Sequence, residues 1–486
     1  MRAQRDDLVL LALGIAALAV YGALAEHGPA LVDEYLYLAN ARHFSETASL
    51  DTRFYNSTAI LNQGYPHQDM HAPGYVLILG TAMAVFGHGL RTAVALNATL
   101  YLAGAFLLRR LVRELSLEVR AQQVAAVLFL ALPLFLPYVF WAMPEVLVGV
   151  LALAALTSAA SLAGPLGAIV TGLLLGCGML VRESLVFVLL PALVLLRSWR
   201  RAMLALAATG AFVLLVYMPL SKNRGEGGTN FWRATRQGAA VEFDALGDAG
   251  SGRITPAASR AKDRAAATLA MLAGPLVSHT ERWVLLSYLL LALLPLAQVA
   301  QMSAAQRGLY LTLLASFLAL VLAMLGFFQV PPWSAPRYLM LLAPPFLLWI
   351  AAPAARGSWT LPAGAGLAFL ALTALTLLAF NPYVDLRRRR QQANTEYLER
   401  YIGNDARRVF ANDAYLFGLR HYPVEVVVVL PSLDAMRALD QQLAFDYVVL
   451  PTDWPGLREF NRPRRFEFVN RDDEMAEARI YKRLAR

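Results

Sequence analysis

Long apolar runs recur along most of this 486-residue chain, and they constrain its fold more than any other feature. About eleven of them approach the roughly 17–25 apolar residues that carry an α-helix across a bilayer. They lie near 8–25, 92–108, 121–141, 146–162, 164–181, 184–197, 202–220, 283–300, 308–328, 338–354 and 360–380. The chain is 58% hydrophobic and 16% charged, whereas soluble domains average roughly 45–50% apolar and about 25% charged. The sequence therefore predicts an α-helical polytopic membrane protein.

Two of the apolar runs need separate interpretation. The first follows Arg2 and Arg5, as in a secretion signal, but it extends from Leu8 to Ala25, about the length of a bilayer span. We interpret it as an uncleaved first helix. The run Tyr75–Phe86 is short, and runs of about 10–14 residues are more typical of interfacial or re-entrant helices than of spans.

Basic residues between the spans set the predicted orientation, because short cytoplasmic loops are enriched in Lys and Arg. If the N-terminus is cytoplasmic and Tyr75–Phe86 does not span, the basic clusters all face the cytoplasm. They are Arg109, Arg110, Arg113 and Arg120, then Arg197, Arg200 and Arg201, and finally Arg307 and Arg356. A spanning Tyr75–Phe86 would turn every cluster outward. The sequence therefore predicts a cytoplasmic N-terminus and an outer C-terminus.

Three polar regions share the outer face in this topology, namely 26–91, 221–282 and 381–486. The last one is typical of a small α/β domain, because β-branched runs at Val424–Leu430 and Tyr447–Leu450 flank the helically spaced Leu433–Leu443. We predict a transmembrane domain over 1–380 and an extracytoplasmic α/β domain over 381–486. The net charge of +9 indicates contact with anionic membrane lipids rather than nucleic acid.

Two acidic sites are candidates for catalysis. Asp33 and Glu34 follow the first span, where they either favour a helix macrodipole or supply a general base at the outer interface. Glu145, in Trp141-Ala-Met-Pro-Glu145, lies between the third and fourth predicted spans. It suits the first turn of a helix after Pro144. An acid at the edge of the hydrocarbon is nonetheless costly and is a functional candidate by default.

Two arginine sites suit the binding of a phosphate. Arg182 stands beside Glu183 between two apolar runs. The two side chains either form an internal ion pair, or Arg182 clamps a phosphate with its planar bidentate guanidinium. Arg337 and Tyr338 end the segment Pro331-Pro332-Trp-Ser-Ala-Pro-Arg337-Tyr338. They either anchor the chain at the interface or neutralise a lipid phosphate.

A fifth polar segment, His71-Ala-Pro-Gly-Tyr75, leads into the short apolar run. A loop histidine is more often a bystander, but His67, Asp69 and His71 together form a weak candidate metal site, and Asp33 is another candidate ligand for a divalent ion. All five features fall on one side of the predicted topology. The sequence therefore predicts an active site at the outer interface of the membrane.

The order of these motifs resembles a known family. Asp33-Glu34 with its amphipathic stretch, followed by His71-Ala-Pro-Gly-Tyr75 and a short apolar helix, is similar to the first outer loop of the GT-C glycosyltransferases. More narrowly, the pattern is similar to that of the protein O-mannosyltransferase and aminoarabinose (lipid A) transferase group. His71 and Ala72 stand where that group usually has Lys and Pro. Further matches in order are Glu145, Val181-Arg182-Glu183, Asn230-Phe231-Trp232 and Arg337-Tyr338.

The resemblance implies a membrane glycosyltransferase with juxtamembrane helices in its first outer loop. The donor would be a polyprenyl-phosphate-linked sugar, and the acceptor a glycan, lipid or protein at the periplasmic face of a bacterial inner membrane. Asp33 would activate the acceptor or position it through a divalent ion. The implied catalytic acids are Asp33, Glu34 and Glu145, and the implied donor-binding residues are Arg182, Arg337, Tyr338, His71 and Tyr75.

Two other classes of function stay open on the sequence. A polytopic protein with interfacial charges is also compatible with a lipid or glycolipid flippase or transporter, although transporters place functional charges near the midplane and in repeated halves. A non-catalytic GT-C relative that acts as an assembly partner is the third class. Retention of both Asp33 and Glu145 favours an enzyme over such a relative.

Overall fold

Helices dominate the first 355 residues of the computed structural model. The described residues are 2–24, 32–50, 54–56, 72–115, 117–132, 135–220, 288–326, 338–355, 396–398, 400–403, 406, 408–411, 425–428, 437, 440–441, 444–451, 459, 465–470 and 478–484. The α-helices of five or more residues are α1 Arg2–Leu24, α2 Val32–Thr47, α3 Gly74–Phe86, α4 Leu90–Glu114, α5 Val119–Leu130, α6 Phe135–Val139, α7 Glu145–Ser161, α8 Gly164–Val181, α9 Leu189–Leu195, α10 Trp199–Phe212, α11 Ala304–Gly326 and α12 Ala343–Ala355.

Several of these helices present apolar surface outward. The segments long and apolar enough to cross a membrane, among the described residues, are Asp6–Ala23, Leu90–Glu114, Gly164–Val181, Trp199–Leu220 and Ala304–Ala323. Among the large apolar side chains, Leu166 is 70% exposed, Leu215 76% and Leu322 68%. Apolar surface of this kind is stable against lipid, and helices satisfy their own backbone groups there. The protein is an integral membrane protein, and the predicted helical polytopic fold class is confirmed.

Several predicted spans are not continuous α-helices in the structure, and two of them show this most clearly. The run 121–141 forms α5 only to Leu130 and resumes as the short α6 at Phe135, because Pro133 between them cannot continue a helix. The run 184–197 begins as a 3₁₀ helix, Glu183–Val188, before α9. The predicted span 360–380 lies outside the described residues.

Polar contacts connect the helices at one end of the bundle, which we call the inner end. They join the start of α1 to α4 and α5, the α4–α5 connection to α11, and the end of α7 to α10. The contacts are Arg109 with Asp7, Gln123 with Asp6 at 3.0 Å, Gln306 with the Leu115 carbonyl at 3.1 Å, and Arg201 with the Leu162 carbonyl at 2.5 Å. Successive helices therefore alternate in direction as the topology predicts. The opposite end, where α7 begins and α8 ends, is the outer end.

The short helix α3 lies at the outer end against α2 and the last turn of α8. Two glycines permit this close packing, since a Cβ at Gly80 would lie 2.8 Å from the Ala41 carbonyl oxygen and one at Gly74 would lie 2.7 Å from the Leu180 carbonyl group. A helix of 13 residues is about 20 Å long, which is shorter than the roughly 30 Å hydrocarbon core. Its length agrees with the prediction that this run does not span.

The C-terminal part forms a six-stranded sheet in the order β1-β3-β2-β4-β6-β5. Its strands are β1 Phe54–Asn56, β2 Arg408–Ala411, β3 Glu425–Val428, β4 Tyr447–Pro451, β5 Phe466–Phe468 and β6 Ala478–Arg483. The first four in the sheet order pair in parallel, and β6 is antiparallel to both of its neighbours. The two strands predicted from sequence are β3 and β4, whereas most of the predicted helix Leu433–Leu443 lies outside the described residues.

The sheet also contains a strand that the sequence did not predict. β1 comes from the first outer loop and pairs in parallel with β3, with Phe54 opposite Val426 and Asn56 opposite Val428. The loop that follows α2 is thus hydrogen-bonded to the C-terminal sheet. The proposed boundary at 380–381 separates most of the sheet from the helices but leaves this strand on the other side.

Candidate active site

Glu145 is the first residue of α7 and is 1% exposed. Pro144 precedes it at the helix cap, which accounts for the local start of the helix. Its Oε1 accepts a hydrogen bond from Nη1 of Arg182 at 2.7 Å. Its buried Oε2 has no hydrogen-bond partner among the described residues. A buried carboxylate oxygen of this kind needs a donor, which water, an ion or a ligand can supply.

Arg182 brings two predicted sites together. It follows the last residue of α8 in an extended conformation, and its side chain is 15% exposed. Its guanidinium pairs with Glu145 and lies over the ring of Tyr338, 4.2 Å from the centroid. Glu183, the neighbour considered as its ion-pair partner, accepts a hydrogen bond from the Tyr217 hydroxyl at 2.9 Å. Three sequence-predicted residues from separate segments therefore form one continuous group.

Glu34 joins this region from α2. It is fully buried, and its Oε1 accepts a hydrogen bond from the backbone N–H of Ala142 at 3.2 Å. Ala142 lies in the turn that leads into Glu145, so both acids are attached to the same short segment. Asp33 lies in the first turn of α2, with its side chain outside the described part of the structure.

Tyr75 and Asn97 are two buried polar residues that contact each other next to the turn before Glu145. Tyr75 is fully buried and stacks edge-on against Tyr37 with centroids 5.2 Å apart. Its hydroxyl oxygen accepts a hydrogen bond from Nδ2 of Asn97 at 3.3 Å and lies 3.5 Å from Oδ1. Nδ2 of Asn97 donates to the carbonyls of Trp141 at 2.7 Å and Tyr138 at 3.2 Å. Asn97 was not predicted as a site residue from the sequence. The available signal was an amide within the apolar run 92–108, since polar groups in membrane helices are costly.

The electrostatics of Tyr75 reflect the same geometry. Burial raises the pKa of its hydroxyl above the ordinary value, the hydrogen bond with Asn97 opposes this rise, and the carboxylates of Glu145 and Glu34 add to it. The hydroxyl is therefore neutral at physiological pH.

The remaining predicted residues are not placed. His71 and Arg337 lie outside the described residues, as do His67 and Asp69. Among the residues that the structure does describe, no group of three His, Cys, Asp or Glu side chains is arranged to hold a metal ion. Glu145 Oε2 offers a single oxygen of the kind that divalent ions prefer. A divalent ion stays a prediction.

With the fold and the site in place, comparison with known proteins identifies the class of fold. No family profile matches the sequence, and no curated protein matches it. Among solved structures, the chain resembles ArnT from Cupriavidus metallidurans bound to undecaprenyl phosphate, with a TM-score of 0.57 and 13% identity over 98% of each chain. It also resembles the apo oligosaccharyltransferase of Archaeoglobus fulgidus, with a TM-score of 0.50 and 13% identity over 91% of this chain and 69% of that one.

These likenesses extend along nearly the whole chain, including the C-terminal sheet in the case of ArnT. At 13% identity these structural likenesses show the fold alone, so the reaction is inferred from the residues of the site. The GT-C fold predicted from the sequence is confirmed.

Proposed function

We propose that the protein transfers a sugar, a hexose or a pentose, from a polyprenyl-phosphate-linked donor to an acceptor on the extracytoplasmic face of the membrane. The observation that carries this proposal is the buried Glu145–Arg182 pair with Tyr338, at the end of the bundle opposite the basic loops. Further support comes from the fold likeness to ArnT, a protein whose structure binds undecaprenyl phosphate. The residues and the fold point to the same class of donor.

The reaction follows from the charges at the outer end. The acceptor oxygen or nitrogen attacks the anomeric carbon, the bond to the phosphate oxygen breaks, and the acceptor proton passes to Asp33 as general base. The leaving polyprenyl phosphate gains negative charge as the bond breaks. Arg182 and Arg337 are proposed to stabilise that charge, which is where fixed cations contribute most to rate. Attack from the face opposite the leaving group inverts the anomeric carbon.

The other site residues are proposed to hold the substrate. Glu145 accepts a hydrogen bond from a donor hydroxyl or amine through its unpaired Oε2, or it contributes this oxygen to a divalent ion that would neutralise the phosphate. Tyr75, Tyr338 and His71 complete the donor pocket. Glu34 keeps the turn before Glu145 in place through Ala142.

A flippase or transporter is the alternative function. Transporters place their functional charges near the midplane, often at broken helices of repeated halves. The buried charges described above lie together at one end of the bundle, next to an outer domain. This arrangement favours transfer at an interface over passage through the membrane.

The proposed localisation is a bacterial inner membrane with the site at the periplasmic face. Reporter fusions after Arg120 and after Arg390 test it, because the positive-inside rule places the first in the cytoplasm and the second outside. The reverse pattern would place the site on the cytoplasmic side and remove the proposed donor orientation.

The function itself is tested by mass spectrometry of envelope lipids and glycans from cells that carry the wild-type protein or Glu145→Gln. A sugar-modified product should be lost in the variant, and purified wild-type protein should release polyprenyl phosphate from a synthetic donor. Tyr101→Phe is the matched control, since Tyr101 is buried in α4 but donates to the Leu130 carbonyl, away from Glu145. Identical products from all three strains would contradict the proposal.

A further inference from the structure

The chain between α5 and α7 is an irregular segment inside a membrane domain. α5 ends at Leu130 and α7 begins at Glu145, with only the short α6 between them. Backbone groups at membrane depth must find partners within the protein, because lipid supplies none. Some carbonyls of this segment accept from the segment's own N–H groups, as Trp141 does from Met143 at 2.9 Å, and side-chain donors from neighbouring helices add to these bonds.

Helix α4 supplies those donors from one face. Tyr101 donates to the Leu130 carbonyl at 2.6 Å, and Asn97, one helical turn earlier, donates to the Trp141 carbonyl at 2.7 Å. The two contacts differ in what lies beyond them. Leu130 is the end of an apolar helix, whereas Trp141 is four residues before Glu145 and next to Ala142, whose N–H is held by Glu34.

We propose that Asn97 is a positioning residue for the transfer reaction, which sets where Glu145 stands relative to Arg182. This inference rests on the proposed function. Asn97 on α4 and Glu34 on α2 hold the adjacent residues Trp141 and Ala142. The turn is therefore fixed at its carbonyl and at its N–H, from two different helices. The position of Glu145 therefore depends on the position of that turn.

The amide side chain suits this task because it combines two donors with an acceptor. The hydrogens of Nδ2 are shared among the Trp141 carbonyl, the Tyr138 carbonyl and the Tyr75 hydroxyl, and the Trp141 carbonyl is the nearest of the three at 2.7 Å. An aspartate would present acceptors to two carbonyls, and a leucine would present neither donor nor acceptor. Asn97 thus also links the turn to Tyr75, the last residue of His71-Ala-Pro-Gly-Tyr75.

The effect should appear in turnover rather than in donor affinity. A shift of about 1 Å in a group that acts on the reacting centre is able to cost about 10²-fold in rate. Asn97→Ala should therefore lower kcat by about that factor with a smaller change in the KM for the lipid-linked donor. Tyr101→Phe, which removes a similar contact four residues further along α4, should change kcat by about twofold or less.

A double-mutant cycle separates positioning from general support of the fold. Asn97→Ala and Glu145→Gln are made singly and together in the full-length protein, and kcat is measured with a synthetic polyprenyl-phosphate sugar. The residual kcat of Glu145→Gln is measured over long incubations with excess enzyme. If Asn97 acts through Glu145, its replacement costs about twofold or less in that background, because only independent sites add. Equal factors in both backgrounds would overturn the inference.

A second variant keeps the test decisive if Asn97→Ala does not fold. Asn97→Gln retains both donors but moves them by one methylene, so it should keep the melting temperature and still lower kcat. Wild-type kcat in a folded Asn97→Gln protein would overturn the positioning role while leaving the proposed function standing. A wild-type protein that transfers no sugar would overturn the proposed function and this inference with it.

Discussion

The two ends of the helical bundle carry charge in different ways. At the inner end, Asp7 pairs with Arg109 with its side chain 52% exposed, and Arg113 meets Glu114 at 60% exposure. At the outer end, the Glu145 side chain is 0% exposed and that of Arg182 is 15% exposed. Each inner pair keeps one partner that is more than half exposed, although Arg109 is 16% and Glu114 26% exposed, whereas neither partner of the outer pair is exposed to that extent.

This difference indicates what each set of charges does. Solvated basic residues in short loops fix the orientation of a membrane protein without needing particular partners. A desolvated ion pair is costly to form and is often no more stable than an apolar replacement. Its presence at the outer end is therefore weak support for a role in stability, and it favours a role in binding or catalysis.

The largest effect is expected from Asp33, which is proposed as the base. Asp33→Asn should lower the rate of transfer by about 10²–10⁴-fold, the usual cost of losing a general base, while expression and melting temperature stay near wild type. The measurement is sugar transfer by purified protein with donor and acceptor at saturation.

Its neighbour provides the control. Glu34→Gln retains a side-chain oxygen that is able to accept the N–H of Ala142, so it should cost less than about tenfold, within the net value of one hydrogen bond. A fast Asp33→Asn enzyme together with an inactive Glu34→Gln enzyme would exchange the two roles.

The second expected effect is on stability and concerns Arg182. Arg182→Ala leaves the Glu145 carboxylate buried without its partner, and breaking a buried pair in this way costs about 3–5 kcal/mol. Chemical unfolding in detergent should show this loss, and binding of polyprenyl phosphate should weaken. Arg182→Lys should recover part of both, because lysine keeps the charge but lacks the planar fork. Unchanged unfolding would contradict the assignment of Arg182 as the partner that the buried Glu145 carboxylate requires.

Sequence alone predicted the candidates at the outer end but not how they meet. Glu145, Arg182 and Tyr338 were each identifiable because a charged or interfacial residue next to an apolar run is informative by itself. Their contact depends on α7, α8 and the segment before α12 converging in space. The adjacent Arg182 and Glu183 suggested a local ion pair, whereas the observed partner of Arg182 is 37 positions away in sequence.

Other features lacked a readable pattern. Asn97 is one amide in an apolar helix, and its significance comes from carbonyls 41 and 44 positions away. Pro133 indicated the break after Leu130, but the hydropathy averaged over the whole run 121–141 does not show it. β1 is three residues long and too short for any alternation to show. Periodicity predicts helices and strands. It does not predict which irregular segments their side chains will contact.

The third prediction tests whether the outer end is tied to the C-terminal sheet through β1. Tyr55 and Val427 are partners in the parallel pairing of β1 with β3, and neighbouring strands lie about 4.7–4.9 Å apart, within the range for a disulfide. Tyr55→Cys with Val427→Cys should therefore cross-link on oxidation, in a Cys177→Ser background that removes the chain's single cysteine. Transfer should survive the cross-link, since it joins residues already paired.

The control for this cross-link shifts one partner along the strand. Tyr55→Cys with Glu425→Cys is out of register and should oxidise less readily. Equal yields from both pairs would contradict the observed register. Cross-linking at Val427 with complete loss of transfer would show that the loop must leave the sheet during turnover.

The smallest effect is expected at the inner end, from the pair of Asp7 and Arg109. Ion pairs at the surface contribute about 0–1 kcal/mol, because water screens the charges, and Asp7 is more than half exposed although Arg109 is 16% exposed. Asp7→Asn should therefore lower the free energy of unfolding by less than about 1 kcal/mol and leave transfer unchanged. Arg109→Gln and the double variant complete a cycle in the same detergent, where the coupling between the two residues should be of similar size. A coupling as large as that between Arg182 and Glu145 would mean that the inner pair is also desolvated, and burial would no longer distinguish the two ends of the bundle.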